Sequence, residues 1–395
     1  MAIEAVDARA RGLRPRRQAE ALGAAALVRS LDWLLLAAVA AIVGYGLWAI
    51  DGITRHDPGG SLAGRQGLYA AVGALLLVAG TAIDPDVYRR HKRPIYVGTL
   101  GVMLVVLLSA AATRGSRRWI DIGFFKFQPS EFGKVLFTLF LAGFLADRGR
   151  RIGALDVPLA AIGVGLAPIL LVFLQPDIGT ALVYAAALAA VLFVAGTRWL
   201  HFALIGVVTL VGILAVLWWL PALGVNVLKP YQEARLTGFT HPNSDPRDAT
   251  YNVNQSITAV GAGGLEGRGI TGATQTRLNY LPEHATDFAF ASLAEQHGFF
   301  GVSILLLLYL LVVWRGLKIV AGARDLFCAI VAGGLMFAFL FQVFVNVGMC
   351  IGIAPITGIP LPFVSVGGSS MITNLTAMGI LLGINARSPG GRRRP

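Results

Sequence analysis

Residues 326–386 read LFCAIVAGGLMFAFLFQVFVNVGMCIGIAPITGIPLPFVSVGGSSMITNLTAMGILLGINA, 61 residues without one charged side chain. A helix needs about 20 mainly apolar residues to cross the hydrocarbon core of a bilayer. The run is too long for one span. Its middle, Pro355–Pro362, holds three prolines and a glycine. Proline removes a backbone donor and clashes with the preceding helical turn. The stretch therefore predicts two spans joined by a broken segment.

Working back from it, seven further uncharged runs appear: Trp33–Ile50, Gly67–Ile83, Ile95–Thr113, Val157–Pro176, Ile178–Thr197, Trp199–Leu228 and Gly298–Trp314. An eighth, Val135–Ala146, is short by itself and spans only if its helix begins near Gln128 and takes in Glu131 and Lys134. The expected fold is an all-α polytopic membrane protein with ten transmembrane helices and a large extracytoplasmic loop between helices seven and eight. Its parts are a cytoplasmic tail (1–30), helices one to seven (31–225), the loop (226–297), helices eight to ten (298–386) and a basic cytoplasmic tail (387–395).

The rest of the composition agrees. Of 395 residues, 56% are hydrophobic and 14% charged, with a mean hydropathy of +0.69. Soluble domains carry about 25% charged residues, so a soluble enzyme, a disordered chain and a nucleic-acid-binding domain are excluded. The net charge of +12 is explained by topology. With the N-terminus inside, the inner segments hold 21 Lys and Arg against 9 acids, and the outer segments hold 12 of each. All of the net charge then faces the cytoplasm, as lysine and arginine bias requires. The basic tails serve as an orientation signal or touch anionic lipid. Cys328 and Cys350 both lie in apolar sequence and read as core residues, not as a disulfide or zinc framework. The first thirty residues are polar and Arg-rich, which predicts no cleaved signal peptide.

Three outer-face regions carry the chemistry. The first runs from Arg114 through Arg117, Arg118, Trp119 and Asp121 to Gln128, Ser130, Glu131 and Lys134, with five basic groups in 21 residues. Glu131 and Lys134 share a helix face. Ionisable groups at membrane depth usually face a cavity, although a salt bridge capping the fourth helix also fits. The second is Gln175-Pro176-Asp177 with Gly179-Thr180, where Asp177 is either an N-cap or part of the site. The third is the long loop, with Lys229, Tyr231, Gln232, Glu233 and Arg235, then Tyr251, Asn252, Asn254, Gln255 and Ser256, then a run of glycines, and finally Leu281-Pro282-Glu283-His284-Ala285-Thr286-Asp287-Phe288. Gly267, Gly269 and Gly272 formally match a dinucleotide fingerprint, but no strand precedes them. Asp287 near the membrane surface, partly desolvated, would have a raised pKa suited to general-base work. A turn or cap role is the alternative.

Taken together, these residues resemble the SEDS (shape, elongation, division and sporulation) family. The match runs from about Arg114 to Asn385. It includes Arg118-Trp119-Ile120, Phe127-Gln128-Pro129-Ser130-Glu131 with Lys134, Gln175-Pro176-Asp177, Gln255-Ser256, Leu281-Pro282-Glu283 and Thr286-Asp287-Phe288. It closes on Asn346, Gly348-Met349, Pro355 to Pro362, Ser365 and Gly367-Gly368-Ser369-Ser370. Tyr231-Gln232, Tyr251-Asn252 and Thr274-Gln275 look like the RodA branch. His284 stands one place early, with Ala285 in the usual histidine slot. Val366 and Gln296 also depart from the family pattern.

The resemblance implies a peptidoglycan glycosyltransferase that polymerises lipid II for cell elongation and rod shape. It also implies a class B penicillin-binding protein as transpeptidase partner and a place in the bacterial cytoplasmic membrane, with both termini cytoplasmic. Asp287 takes the position of the family's catalytic aspartate. Arg118, Glu131 and Lys134 take the positions of the family's charged residues near the third and fourth spans, and with Asp177, Arg235, Gln255, Ser256, Glu283, Thr286, Ser365 and Ser369 they are expected as substrate-binding residues. No resident metal is implied; a divalent cation, Mg or Mn, is compatible with a pyrophosphate leaving group. Two other classes compete: a lipid II flippase, and a non-catalytic scaffold that activates a partner synthase. A flippase wants polar groups near the midplane, whereas here they gather in the outer loops.

Overall fold

A buried chain in lipid must satisfy its own backbone, so bilayer-length apolar runs become helices. The computed structural model describes residues 24–109, 118–121, 126–224 and 249–389. In chain order these form α1 (Ala24–Arg29), α2 (Trp33–Thr54), α3 (Ala63–Ala82), α4 (Pro85–Arg90), α5 (Lys92–Ser109), β1 (Ile120–Asp121), β2 (Lys126–Phe127), α6 (Pro129–Ala146), α7 (Asp156–Leu174), α8 (Ile178–Ala195) and α9 (Trp199–Leu214). After α9 the chain runs on through a π turn, Ala215–Trp219, to Leu220–Ala222. Then follow α10 (Ala249–Gly263), α11 (Gly269–Gly272), α12 (Thr274–Arg277), α13 (Ala289–Gly322), α14 (Leu326–Cys350) and α15 (Gly368–Arg387).

Among the described residues, seven helices are long and apolar enough to cross a membrane: α2, α3, α6, α7, α8, α13 and α14. Apolar side chains such as Leu75, Val78, Leu108 and Leu307 point outward from the bundle, as lipid-facing residues do. α6 begins at Pro129 with Gln128 as N-cap and Glu131 in its first turn. Proline at the first helical position and an acid near the positive helix end both favour a start there.

Two boundaries differ from the sequence expectation. The run expected to end at Trp314 continues as helix to Gly322, because Arg315 is buried in an ion pair with Asp32. Helical structure also begins earlier, at Ala289, inside the expected loop. The expected start of the span, Gly298, is where the backbone leaves helical geometry, at φ 63° and ψ −164°. Only glycine adopts that conformation without strain. The short antiparallel ladder that pairs Ile120 with Phe127 and Asp121 with Lys126 is a small exception to the all-α reading.

Helices α3 and α15 pack through small residues. A Cβ on Gly379 would collide with the Leu77 carbonyl, and one on Gly73 would strike Leu375. Thr81 Oγ1 donates to the Leu77 carbonyl and to Gly379 O of α15, at 2.8 and 3.1 Å. Small residues that let backbones approach are the usual glue between helices in lipid. The broken segment between α14 and α15 covers residues 351–367, as the prolines require. It packs against the turn that precedes α13, where Val366 N–H donates to the Ala285 carbonyl, and against the middle of α13, where the Tyr309 hydroxyl donates to the Pro362 carbonyl.

Candidate functional site

Asp287 stands two residues before α13, in a turn built on Glu283. Glu283 adopts φ +52°, an uncommon conformation for a residue with a side chain. Its carbonyl accepts the backbone N–H of Thr286 at 3.1 Å and of Phe288 at 3.2 Å. The Thr286 hydroxyl donates to Glu283 Oε2 at 2.9 Å. Glu283 and Thr286 thus shape the turn that presents Asp287, whose side chain is half-buried.

The broken segment supplies the opposing wall. Gly358 has φ +69°, and a Cβ built there would lie 3.4 Å from Asp287 Oδ2. Val366 N–H donates to the Ala285 carbonyl at 2.9 Å. Asn346 of α14 donates through Nδ2 to the Asp287 carbonyl at 2.9 Å and to the Ile359 carbonyl at 2.8 Å. The turn and the broken segment are therefore joined on both sides of the carboxylate.

From Gly358 the site extends to the second region. A Cβ at Gly179 would collide with the Thr357 carbonyl, so the start of α8 lies directly on this segment. Asp177 is the N-cap of α8, accepting Thr180 N–H at 3.1 Å. Its other oxygen accepts Gln128 Nε2 at 2.7 Å, and Arg118 Nη1 lies 3.6 Å from Oδ1. Asp177 is thus the N-cap of α8 and also lies beside an arginine. Arg118 rests near the Trp119 ring, 5.9 Å from its centroid. Arg118 Nε, Thr357 Oγ1 and Asn346 Oδ1 are buried without a hydrogen-bond partner among the described residues. Such atoms are rare and mark places where stability has been traded away.

Glu131 and Lys134 form the expected pair and are buried, at 3% and 5% exposure. Lys134 Nζ lies 2.9 Å from both Glu131 oxygens and 3.0 Å from Gln342 Oε1. An ammonium has three donors, and here all three are engaged. The arrangement is the salt bridge of the alternative reading, and it offers no spare donor to a phosphate.

The serines brace the frame. Ser256 donates to the Cys350 carbonyl at 2.8 Å and so ties α10 to the end of α14. Ser365 Oγ accepts Leu361 N–H at 2.9 Å. Ser369 accepts Gln128 N–H at 2.9 Å and donates to the Lys126 carbonyl at 3.2 Å. Gln255 is half-buried on α10. Arg235, Arg114 and Arg117 lie outside the described residues. His284 pairs with Asp57, its Nε2 3.2 Å from Oδ1, and so fastens the Asp287 turn to the α2–α3 connection. Cys328 and Cys350 are buried free thiols.

Four residues carry roles that the sequence reading did not assign. Gln342 holds Lys134, and Asn346 holds the Asp287 turn. Gln66 grips the broken segment, donating to the Ser365 carbonyl at 2.9 Å and accepting Gly367 N–H at 3.2 Å. Glu295, fully buried, accepts the N–H groups of Gln275 and Thr276 and the Thr276 hydroxyl at 2.7–2.9 Å. The available signal was a carboxamide or carboxylate in an apolar helix, which is costly to bury without partners.

Comparison with known proteins gives one consistent picture. A family model described as "Cell cycle protein", covering FtsW, RodA and SpoVE, matches residues 27–389. The chain is 36% identical to stage V sporulation protein E of Bacillus subtilis over 360 residues, covering 90% of this chain and 95% of that protein. It is 37% identical to the peptidoglycan glycosyltransferase MrdB of Escherichia coli K12 over 355 residues, covering 90% and 93%. Among solved structures, it resembles a chain from a work on "structural coordination of polymerization and crosslinking by a peptidoglycan synthase complex". That match has a TM-score of 0.77 and 31% identity over 90% of this chain and 97% of that one. Thermus thermophilus RodA matches with a TM-score of 0.66 and 28% identity, covering 90% and 96%.

Proposed function

The chain belongs to the FtsW/RodA/SpoVE family of cell cycle proteins, and from that premise we propose that Asp287 is the general base of a glycan polymerase. The protein is a peptidoglycan glycosyltransferase. The observation that carries the role of Asp287 is its placement: a half-buried residue whose main-chain carbonyl accepts from Asn346 and whose Oδ2 faces Gly358, at the junction of the turn, the broken segment and the start of α8.

In the proposed reaction the sugar 4-hydroxyl of one lipid II-linked chain attacks the anomeric carbon of another. Asp287 takes the hydroxyl proton as the new C–O bond forms. The bond from the anomeric carbon to the lipid pyrophosphate breaks, and the pyrophosphate leaves with its electron pair. Positioned general bases contribute about 10²–10⁴-fold. The departing charge needs cations. Arg118, with an unpartnered Nε, suits this role, since guanidinium binds phosphate oxygens in pairs. Arg235 is kept as a second contributor. Lys134, whose donors are engaged by Glu131 and Gln342, forms a neutral pair with Glu131 and is assigned no direct contact with the pyrophosphate. Among the described residues no three His, Cys, Asp or Glu side chains converge on a metal site. A divalent cation, Mg or Mn, would share the charge of the pyrophosphate if it took part.

The proposed topology has ten spans. α5, α9 with its continuation, and α15 add to the seven long apolar helices, both termini are cytoplasmic, and Asp287 faces outward. The proposed partner is a class B penicillin-binding protein, in keeping with the synthase complex among the structural relatives.

The test is polymerisation of labelled lipid II by purified protein with its partner, comparing wild type with Asp287→Asn. Glycan strands from wild type and none from a folded mutant are expected. Normal polymerisation by the mutant removes Asp287 from the role. Transbilayer movement of lipid II without polymer would favour the flippase.

A further inference from the structure

This inference deepens the proposed role of Asp287 and rests on it. Asn346 is fully buried in the apolar helix α14. Its Nδ2 donates to carbonyls of two different segments, that of Asp287 in the turn and that of Ile359 in the broken segment. Two carbonyl acceptors fix the amide orientation, because only the nitrogen can donate. Oδ1 is then left buried and without a partner, which costs free energy. An apolar side chain here would leave the Asp287 and Ile359 carbonyls buried without this donor, so the carboxamide is held in place by the two segments it joins. What the carboxamide secures is geometry. It ties together the two segments at the point where the Gly358 backbone faces Asp287 Oδ2.

We propose that Asn346 is a positioning residue that fixes the Asp287 carboxylate against Gly358 and so sets the distance over which the acceptor hydroxyl gives up its proton. Asn346 touches no reacting atom. Its contribution passes through the Asp287 main chain. A displacement of about 1 Å at a reacting group can cost about 10²-fold in rate.

The experiment measures lipid II polymerisation kinetics of the full chain with its partner, for wild type, Asp287→Asn, Asn346→Leu, Gly358→Ala and the Asn346→Leu/Gly358→Ala double variant. Asn346→Leu is expected to lower kcat per folded molecule by about 10²-fold with KM for lipid II unchanged, and to lower the thermal midpoint in detergent as well, because two buried carbonyls lose their donor. The double variant is expected to lose less than the product of the two single losses, because both disturb one apposition. Should Asn346→Leu fail to fold, the smaller Asn346→Ala, which removes the NH2 group without adding bulk or charge, takes its place with the same expectation for kcat per folded molecule. Wild-type kcat in the folded variant overturns the proposal. So does a loss that appears in KM alone, or full multiplicativity in the double variant. If Asp287→Asn itself polymerises normally, the base assignment fails first. If Asp287→Asn is silent while Asn346→Leu turns over normally, only the positioning role fails.

Discussion

Asn346 follows Gln342 by one turn of α14, and the two carboxamides hold different parts of the site. Gln342 accepts from the Lys134 ammonium at 3.0 Å, and Asn346 donates to the Asp287 carbonyl at 2.9 Å. Four residues of helix rise about 6 Å. α14 therefore anchors the buried Glu131–Lys134 pair and the main chain of the Asp287 turn at positions one turn apart along its own axis.

The first prediction concerns that pair. Removing one partner strands the other charge in the bundle, which costs about 3–5 kcal/mol. Glu131→Gln is expected to lower the thermal midpoint in detergent sharply. Glu131→Met combined with Lys134→Met should recover much of the loss, since replacing a buried ion pair by apolar groups is often neutral. A double variant as unstable as the single one would show that the lysine is not the group being stranded.

A second prediction follows from the contact between α8 and the broken segment. A Cβ on Gly179 would meet the Thr357 carbonyl, and the obstacle is backbone, which cannot rotate away. Gly179→Ala is expected to displace Thr357 and Gly358 and to cut polymerisation by at least about tenfold, given the sensitivity of rate to placement. Gly163→Ala, where an added methyl meets nothing within 4 Å, is the control and should leave turnover at the wild-type level. Equal activity of the two variants in the polymerisation assay would sink the idea that this contact positions the site.

Much of this architecture was legible because bilayer physics is written in long runs. The break at Pro355–Pro362, the start of α6 at Gln128 and the N-cap role of Asp177 each follow from local chemistry. The helical character of Arg315 was not legible, because its charge is compensated by Asp32, far away in sequence. The engagement of Lys134 by Gln342 was hidden for the same reason: it joins residues on different helices. Asp287 could be found by its surroundings, but what orients it, Asn346 and Gly358, sits about sixty to seventy positions further along the chain. Sequence patterns of short period carry no record of that contact.

A third prediction addresses the α3–α15 interface. A Cβ on Gly379 would run into the Leu77 carbonyl, and overpacking of a close contact costs about 1–3 kcal/mol. Gly379→Ala should lower the thermal midpoint while leaving KM for lipid II at its wild-type value, because no residue of the Asp287 turn lies in this contact. A change in KM without a change in melting would place Gly379 in the site instead.

The last prediction separates stability from catalysis at the other end of α13. Arg315 donates through Nε to both Asp32 oxygens, at 3.1 and 2.9 Å, and its Nη2 also bonds Asp32. Asp32 at the same time caps α2, accepting Leu35 N–H at 3.1 Å. Arg315→Met leaves that carboxylate buried and unpaired, at a cost of about 3–5 kcal/mol. Asp32→Asn keeps a capping oxygen, so adding it to Arg315→Met removes the stranded charge while preserving the helix start. The double variant should therefore melt above Arg315→Met alone. Arg315 lies 17 residues beyond the Gly298 break, about 25 Å along the helix. Activity per folded molecule should accordingly stay at the wild-type level in both variants. Melting in detergent and polymerisation normalised to folded protein check the two halves separately. A fall in normalised kcat in the stable double variant would mean that the ion pair acts on Asp287 through α13, and not on folding alone.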